Sequence, residues 1–276
     1  MAAVKVLLTG HRGRIGHVVD EVLREAGYDV RGYDIQDGDD ILDFDALLDA
    51  AQGSRFVVHL AAILRTPSDA LMLGGNVTGT WNVLKAAAAV QADRVVSFSS
   101  VNAMGIFMGE RSPDYFPIDA AHPCYPSRPY GMSKFVGEGM CEVFTRRTGI
   151  ATICIRPPAV WDDERIAAIR AERKQDESRE WTPYWEYGCF VYVRDLARAV
   201  ACALECDDPG HVRIVVCADD IASERMTALE LAAKLEPKVP WRARSLHERE
   251  PFRTMVDNSP AKEALGWQPS CRWRPL

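Results

Sequence analysis

An α/β fold built on a doubly wound parallel sheet is what this sequence predicts. Short apolar runs alternate with segments of helical periodicity through residues 1–155, and that alternation implies parallel strands joined by right-handed crossovers. The runs are almost continuously apolar, as strands covered on both faces must be. A glycine-rich turn joins the first run to the first helical segment.

Val4-Lys5-Val6-Leu7-Leu8 opens the chain as a buried strand, residues 15–26 follow as a helix, and Gly27 stops it. A second strand is expected over 29–33, a short helix over 44–51 closed by Gly53, and a third strand over 56–60. An alanine-rich helix is expected over 76–90, a fourth strand over 95–98, a helix over 130–148 and a strand over 151–155. A loop rich in proline, with Pro113, Pro117, Pro123, Pro126 and Pro129, precedes that second long helix. Beyond Arg156 the pattern loosens to a helix at 193–205, a strand at 212–217 and a helix at 229–235, while 181–187 and 237–241 fit no regular element. Residues 1–155 read as a dinucleotide-binding domain. Residues 156–276 read as a small C-terminal substrate-binding lobe, with additions packed on the same sheet.

The chain has 276 residues, 33 Lys+Arg against 39 Asp+Glu, and a formal charge of -6. Mild acidity without a dense basic run argues against a nucleic-acid partner. The richest basic stretch, 165–179, is broken by Glu172, Asp176 and Glu177 and reads as a solvated helix face or a flap over a site. The most apolar stretch, 57–64, contains His59 and falls far short of the roughly 20 residues of a membrane span. With no secretory pattern at the start, a cytoplasmic location is expected. The 8 cysteines form no CxxC pair and no zinc spacing, so no metal is expected and they read as reduced, small hydrophobes; Cys202 and Cys206 face one side of their helix.

Gly10, Gly13 and Gly16 fall between the first strand and the first helix. There Gly10 permits the tight turn, Gly13 lets the backbone approach a pyrophosphate, and Gly16 packs helix on strand, in a Rossmann-like arrangement. The helix start, with Arg14 and Ile15 beside it, favours the anion. Asp34 ends the second strand. A carboxylate there accepts from the adenosine ribose and repels a 2′-phosphate, which favours NAD, although Arg12, Arg14 and Arg31 keep NADP as a weaker alternative. Tyr130 and Lys134 lie four apart on one helix face. A phenol, with an ordinary pKa of about 10, becomes a working base when an ammonium and a positive nicotinamide stabilise the phenolate. Ser99 and Ser100 end the fourth strand, where parallel sheets bind ligands; Ser97 reads as packed.

These motifs, together with Asp40-Ile41, His59-Leu60-Ala61-Ala62, Asn76-Val77-Thr78-Gly79-Thr80, Arg156-Pro157 and Tyr192-Val193-Arg194-Asp195-Leu196-Ala197, resemble those of extended short-chain dehydrogenase/reductases of the NAD-dependent epimerase/dehydratase family. The resemblance spans nearly the whole chain. It implies that Asp40 and Ile41 flank the adenine, that Leu60, Ala61 and Ala62 line the cofactor with Asn76 in support, and that Pro157 lies near the nicotinamide carboxamide. Ser100, by its distance to Gly105, becomes the catalytic serine, and 193–197 a structural helix start.

The stretch Val101-Asn102-Ala103-Met104 carries no carboxylate, where family dehydratases have an acidic pair. Ala159 stands where nucleotide-sugar epimerases carry an asparagine for the diphosphate. The small uronate-dehydrogenase-like members are the nearest form. Their substrate carboxylate is held by an arginine beyond the sixth strand, a place taken here by Arg165, with Arg170 as substitute. Ile63-Leu64 are apolar where those members have a polar residue. Trp161, Trp181, Tyr184, Trp185, Tyr187 and Phe190 would suit a flatter alcohol or stack on a sugar face.

The sequence thus reads as an NAD-dependent oxidoreductase acting on a secondary alcohol or hemiacetal of a small polar substrate, a sugar acid among the candidates. Tyr130 takes the hydroxyl proton, Ser100 holds the reacting oxygen, and Lys134 tunes Tyr130 and binds ribose. Ser100, Asn102, Tyr130 and Arg165 form the substrate set. A sugar or nucleotide-sugar epimerase is the alternative, and an NAD-sensing binding protein without turnover a second. The two long helices are expected to pair in a homodimer, with 86–89 permitting close approach.

Overall fold

The structure, a computed structural model, describes residues 3–181, 186–207 and 210–274. In chain order come β1 (Lys5–Thr9), α1 (Gly16–Glu25), β2 (Asp29–Tyr33), α2 (Phe44–Ala51), β3 (Phe56–His59), α3 (Asp69–Ala89), β4 (Arg94–Phe98), α4 (Pro129–Thr148) and β5 (Ala151–Arg156). Then follow β6 (Ala159–Trp161), α5 (Asp163–Gln175), β7 (Phe190–Tyr192), α6 (Val193–Glu205), β8 (His211–Val215), α7 (Ala228–Leu235), α8 (Arg244–Arg249) and α9 (Ser259–Leu265).

The main sheet has the order β2-β1-β3-β4-β5-β8, all parallel, and β6 pairs with β7 in a small second sheet. The order reverses between β1 and β3, which opens a crevice at the strands' carboxyl ends. Alternate residues of each strand feed opposite layers. Val6, Leu8, Val58 and Val96 pack on Val19 and Leu23 of α1 and Leu196 and Val200 of α6. Leu7, Val57 and Val95 pack on Leu47 of α2, Val83 and Leu84 of α3 and Cys141 of α4. That two-sided burial explains the continuously apolar runs.

The helix expected over 76–90 begins at Asp69 instead, because Ser68 caps it by accepting from Leu71 N at 3.2 Å. Gly74 and Gly75, which argue against helix in the sequence, sit inside it. The lobe draws on both halves of the chain. Val101, Met104, Ile106, Phe116 and Ile118 share a core with Tyr187, Val215, Leu231 and Met255. The basic stretch is helical, as α5.

Asp195 carries out the structural role expected of 193–197. Buried at the start of α6, it accepts from Ser270 N at 2.8 Å, Ser270 Oγ at 2.6 Å and Cys271 N at 2.8 Å, and it pairs with Arg198. None of the 8 cysteines forms a disulfide. Among the described residues no cluster suits a metal, and no helix is long and apolar enough to cross a membrane.

Candidate active site

The loop after β1 places Gly10 against β3 and Gly16 against Gly10. A Cβ on Gly16 would lie 2.0 Å from the Gly10 carbonyl oxygen, a contact no side chain can make. Ile15 precedes α1 and makes no side-chain cap; His17 N and Val18 N donate to Gly13 O and Ile15 O, and the loop backbone before them faces the place an anion would take. This cradle fits a pyrophosphate. Asp34 follows β2 and is buried; its Oδ1 accepts from Gln36 N at 2.9 Å and its Oδ2 from Arg12 N at 3.0 Å. Each oxygen keeps a lone pair for a ribose hydroxyl. The nearby arginines are turned elsewhere. Arg12 pairs with Asp37, Arg31 lies 3.7 Å from Asp39, and Arg14 donates to the carbonyl of Val160 at 3.3 Å.

Ile41 is fixed by Asn82, which donates to its carbonyl, while the Asp40 carbonyl accepts from Tyr33 and its carboxylate caps Leu42 N. Asn76 spends its carboxamide on bracing. It accepts from Ile63 N at 2.7 Å and donates to Ile63 O and to Ser133 Oγ, both at 3.1 Å. It therefore supports the strand-end segment Leu60, Ala61 and Ala62 against α4. His59 adds a second brace. Thr80 donates to Asn76 O, so it accepts from His59 Nε2, and His59 Nδ1 accepts from Thr9. Burial, helped by the charge of Lys134, pulls this imidazole down to about 3 and keeps it neutral.

Ser100 leaves β4 and caps a single 3-10 turn by accepting from Asn102 N at 3.1 Å. Gly105 ends that turn in the left-handed region, φ 67°, pressed against the carbonyl of Tyr125. Pro157 O accepts from Val101 N at 3.2 Å, which sets the end of β5 beside the catalytic loop. Lys134 is buried and donates to Phe98 O at 2.7 Å, and its Nζ lies 5.7 Å from the ring centroid of Tyr130. Burial pulls the lysine down to about 8. Burial also pushes the phenol of Tyr130 up to about 12, and the Ser100 hydroxyl beside it pulls it back in part. In the protein alone desolvation outweighs the Ser100 hydroxyl; the lowering expected from the sequence also calls on the positive nicotinamide. The side-chain oxygen of Asn102 is buried and has no partner among the described residues.

The substrate arginines lie differently from expectation. Arg165, half-exposed on α5, reaches Glu172 at 3.5 Å, and Arg170 donates to the carbonyl of Trp273 and covers its ring. No hydrogen bond or ion pair among the described residues turns either toward Ser100 or Tyr130. The aromatic residues mostly pack. Trp161 stacks on Phe190 with centroids 5.0 Å apart, Trp273 closes on both, Tyr187 meets Phe107 and Phe116, and Lys234 covers Trp181. Tyr184 and Trp185 lie outside the described residues.

This cradle with a Ser/Tyr/Lys set at the switch point defines a nicotinamide-dependent enzyme of the short-chain dehydrogenase type. The chain matches the NAD dependent epimerase/dehydratase family over residues 6–218 and belongs to it. Uronate dehydrogenase of Pseudomonas syringae pv. tomato is 27% identical over 228 residues, covering 78% of this chain and 75% of that protein. L-arabinose 1-dehydrogenase (NAD(P)(+)) of Haloferax volcanii is 28% identical over 236 residues, covering 78% and 89%. A solved structure of a short-chain dehydrogenase/reductase superfamily protein from Agrobacterium tumefaciens with bound NAD superposes with a TM-score of 0.70 at 24% identity, covering 98% and 93%. The chain is accordingly an NAD-dependent dehydrogenase or epimerase of the extended type.

Two acidic residues that the sequence reading did not single out tie together elements around this site. Glu186 accepts from Ala159 N at 2.7 Å through Oε2. Glu138 stands one turn beyond Lys134, on the face of Tyr130 and Lys134, a spacing that could have exposed it. It accepts from Ser99 Oγ at 2.5 Å, from Arg156 Nε at 2.7 Å and from the Arg156 terminal nitrogen at 2.6 Å, with both charged groups buried. Removing one partner leaves the other charge buried and uncompensated. Glu138→Ala is therefore expected to lower the unfolding free energy by about 3–5 kcal/mol in urea titration; a loss below about 1 kcal/mol would show that water or relaxation replaces the pair.

Proposed function

We propose that the chain is a dehydrogenase of a free sugar, oxidising its hemiacetal carbon with NAD. The observation that carries this is the arrangement at the end of β4. The Tyr130 phenol and the Ser100 hydroxyl meet there, with the partnerless oxygen of Asn102 on the adjoining turn. Two hydroxyl-bearing groups beside a buried acceptor match a substrate hydroxyl to be deprotonated and a neighbouring hydroxyl to be held. Tyr130 takes the proton of the reacting hydroxyl, Ser100 holds its oxygen, and Asn102 accepts from the next hydroxyl. Lys134, fixed on Phe98 O, keeps positive charge beneath the phenol as it ionises. The nicotinamide, when bound, supplies the hydride acceptor, with Gly10, Gly13, Arg14, Ile15, Gly16, Asp34 and Pro157 as its cradle. Net NADH formation with a free sugar, and a lactone product, tests this reading. An inverted sugar without net NADH would favour the epimerase. Tyr130→Phe should retain NAD affinity and lose roughly 10²–10⁴ in turnover; near-normal turnover would remove Tyr130 from the mechanism.

NAD is preferred to NADP in this proposal. Asp34 is buried with open lone pairs, while Arg12, Arg31 and Arg14 are engaged with Asp37, Asp39 and Val160. Asp34→Ala should weaken NAD binding roughly tenfold to a hundredfold and raise the relative use of NADP. A wild-type preference for NADP would contradict it.

Self-association is proposed through α3 and α4. Ala86 and Ala87, expected to allow close approach, are spent on the sheet-side core. Trp81, Met132, Phe135, Val136 and Val143 are instead exposed on the two helices, an apolar surface of the kind that pairs with a second copy. Sedimentation should show a dimer for the wild type and a monomer for Phe135→Glu; an unchanged mass in the variant would place the interface elsewhere.

A further inference from the structure

We propose that Glu186 lines the substrate end of this site and selects neutral polyhydroxylated sugars over their acidic counterparts. The inference rests on the free-sugar reading above and names the class of sugar. Ala159, whose N–H holds the Glu186 carboxylate at 2.7 Å, is the second residue after Pro157. The Pro157 carbonyl in turn holds Val101, the residue after Ser100. From the other direction Arg14 of the phosphate loop reaches the carbonyl of Val160. The segment 157–160 therefore runs along the carboxyl edge of the main sheet, between the cofactor cradle and the catalytic turn, and Glu186 is tied to its middle.

The turn that presents this carboxylate is built rather than incidental. Glu186 and Tyr187 both hold left-handed backbone, with φ 46° and 54°, a conformation that costs non-glycine residues and persists only when the surroundings impose it. Tyr187 imposes it by donating to the carbonyl of Ile106 at 2.8 Å, just past Gly105. Cys189 N closes the turn on Glu186 O at 3.0 Å. Glu186 is thus fixed at once to the loop that carries Ser100 and to the strand beyond β5. A carboxylate in such a place accepts from vicinal hydroxyls and repels a second carboxylate or a phosphate. Burial, offset in part by Ala159 N, pushes this carboxyl up to about 7, so the repulsion is complete only above that pH and the assay is run at alkaline pH. Arg165 and Arg170, which a uronate would need, are engaged with Glu172 and Trp273.

The test measures NADH formation by the wild type and by Glu186→Gln, with neutral aldopentoses and aldohexoses against galacturonate and glucuronate. Glutamine keeps an acceptor for Ala159 N and removes the charge. The wild type should favour the neutral sugars by at least about tenfold in kcat/KM, and Glu186→Gln should shrink that ratio by about tenfold or more through gain on the uronates. NAD affinity should not move, which certifies a folded variant. A wild type that prefers uronates overturns the proposal without recourse to any variant. An unchanged ratio in a variant that binds NAD overturns it as well. If neither class yields NADH, the free-sugar reading falls and this assignment with it.

Discussion

The buried pair of Glu138 and Arg156 is the constraint on which the catalytic geometry depends. Two charges withdrawn from water are tolerable only when nearly every polar atom finds a partner in good geometry. Here the carboxylate takes two nitrogens of Arg156 and the hydroxyl of Ser99, and the remaining guanidinium nitrogen donates to Ala120 O at 3.0 Å. One cluster thereby ties α4, the end of β4, the end of β5 and the proline-rich loop. Lys134 lies one turn before Glu138 and Ser100 one residue after Ser99. The relative placement of Tyr130, Lys134 and Ser100 is consequently a property of this pair as much as of the helix that carries two of them.

The cofactor side is braced by a different chemistry. Thr9, His59, Thr80 and Asn76 form a chain of neutral hydrogen bonds in which each donor has a single acceptor to serve. A protonated imidazole would break that order, and burial of His59 prevents it. Ionic bonds under the substrate side and neutral ones under the nucleotide side leave Lys134 as the main buried positive charge between them, held by a carbonyl rather than a carboxylate. A lysine so placed stays available to a phenolate, because among the described residues no carboxylate pairs with it.

What could be read from the sequence was what local periodicity encodes. The strands alternate between two buried layers, so their apolar runs stood out. The glycine turn, Asp34 and the Tyr130 to Lys134 spacing are each confined to a few residues, and the structure gathers them at one crevice. Glu138 was legible too, by the same helical spacing, but a carboxylate on a helix ordinarily faces water. Glu186 was not legible, since its partner Ala159 lies far off in sequence, on β6, and contributes only a backbone N–H. Arg165 and Arg170 carried two readings, as holders of a substrate carboxylate or as residues of a solvated helix face. Sequence position placed them near the substrate, whereas their side chains found Glu172 and Trp273. Trp161, Tyr187 and Phe190 pack on neighbouring rings, because burying large rings in the core outweighs leaving them in a pocket. The start of α3 was hidden by two glycines that a good cap at Ser68 overrides.

Asp195 has a consequence for how the polypeptide is made. Its partners Ser270 and Cys271 come from the far end of the chain, some 75 residues later. During synthesis the β1–β5 layers have their apolar contacts in hand long before these partners emerge. Until then Asp195 has Arg198 on its own helix but lacks the Ser270 and Cys271 donors of the finished molecule. The nascent chain therefore passes through a stage in which the nucleotide half is formed and the lobe waits on its last residues. A ribosome stalled short of Ser270 would hold the nucleotide half of the fold without the Ser270 and Cys271 contacts that close on Asp195.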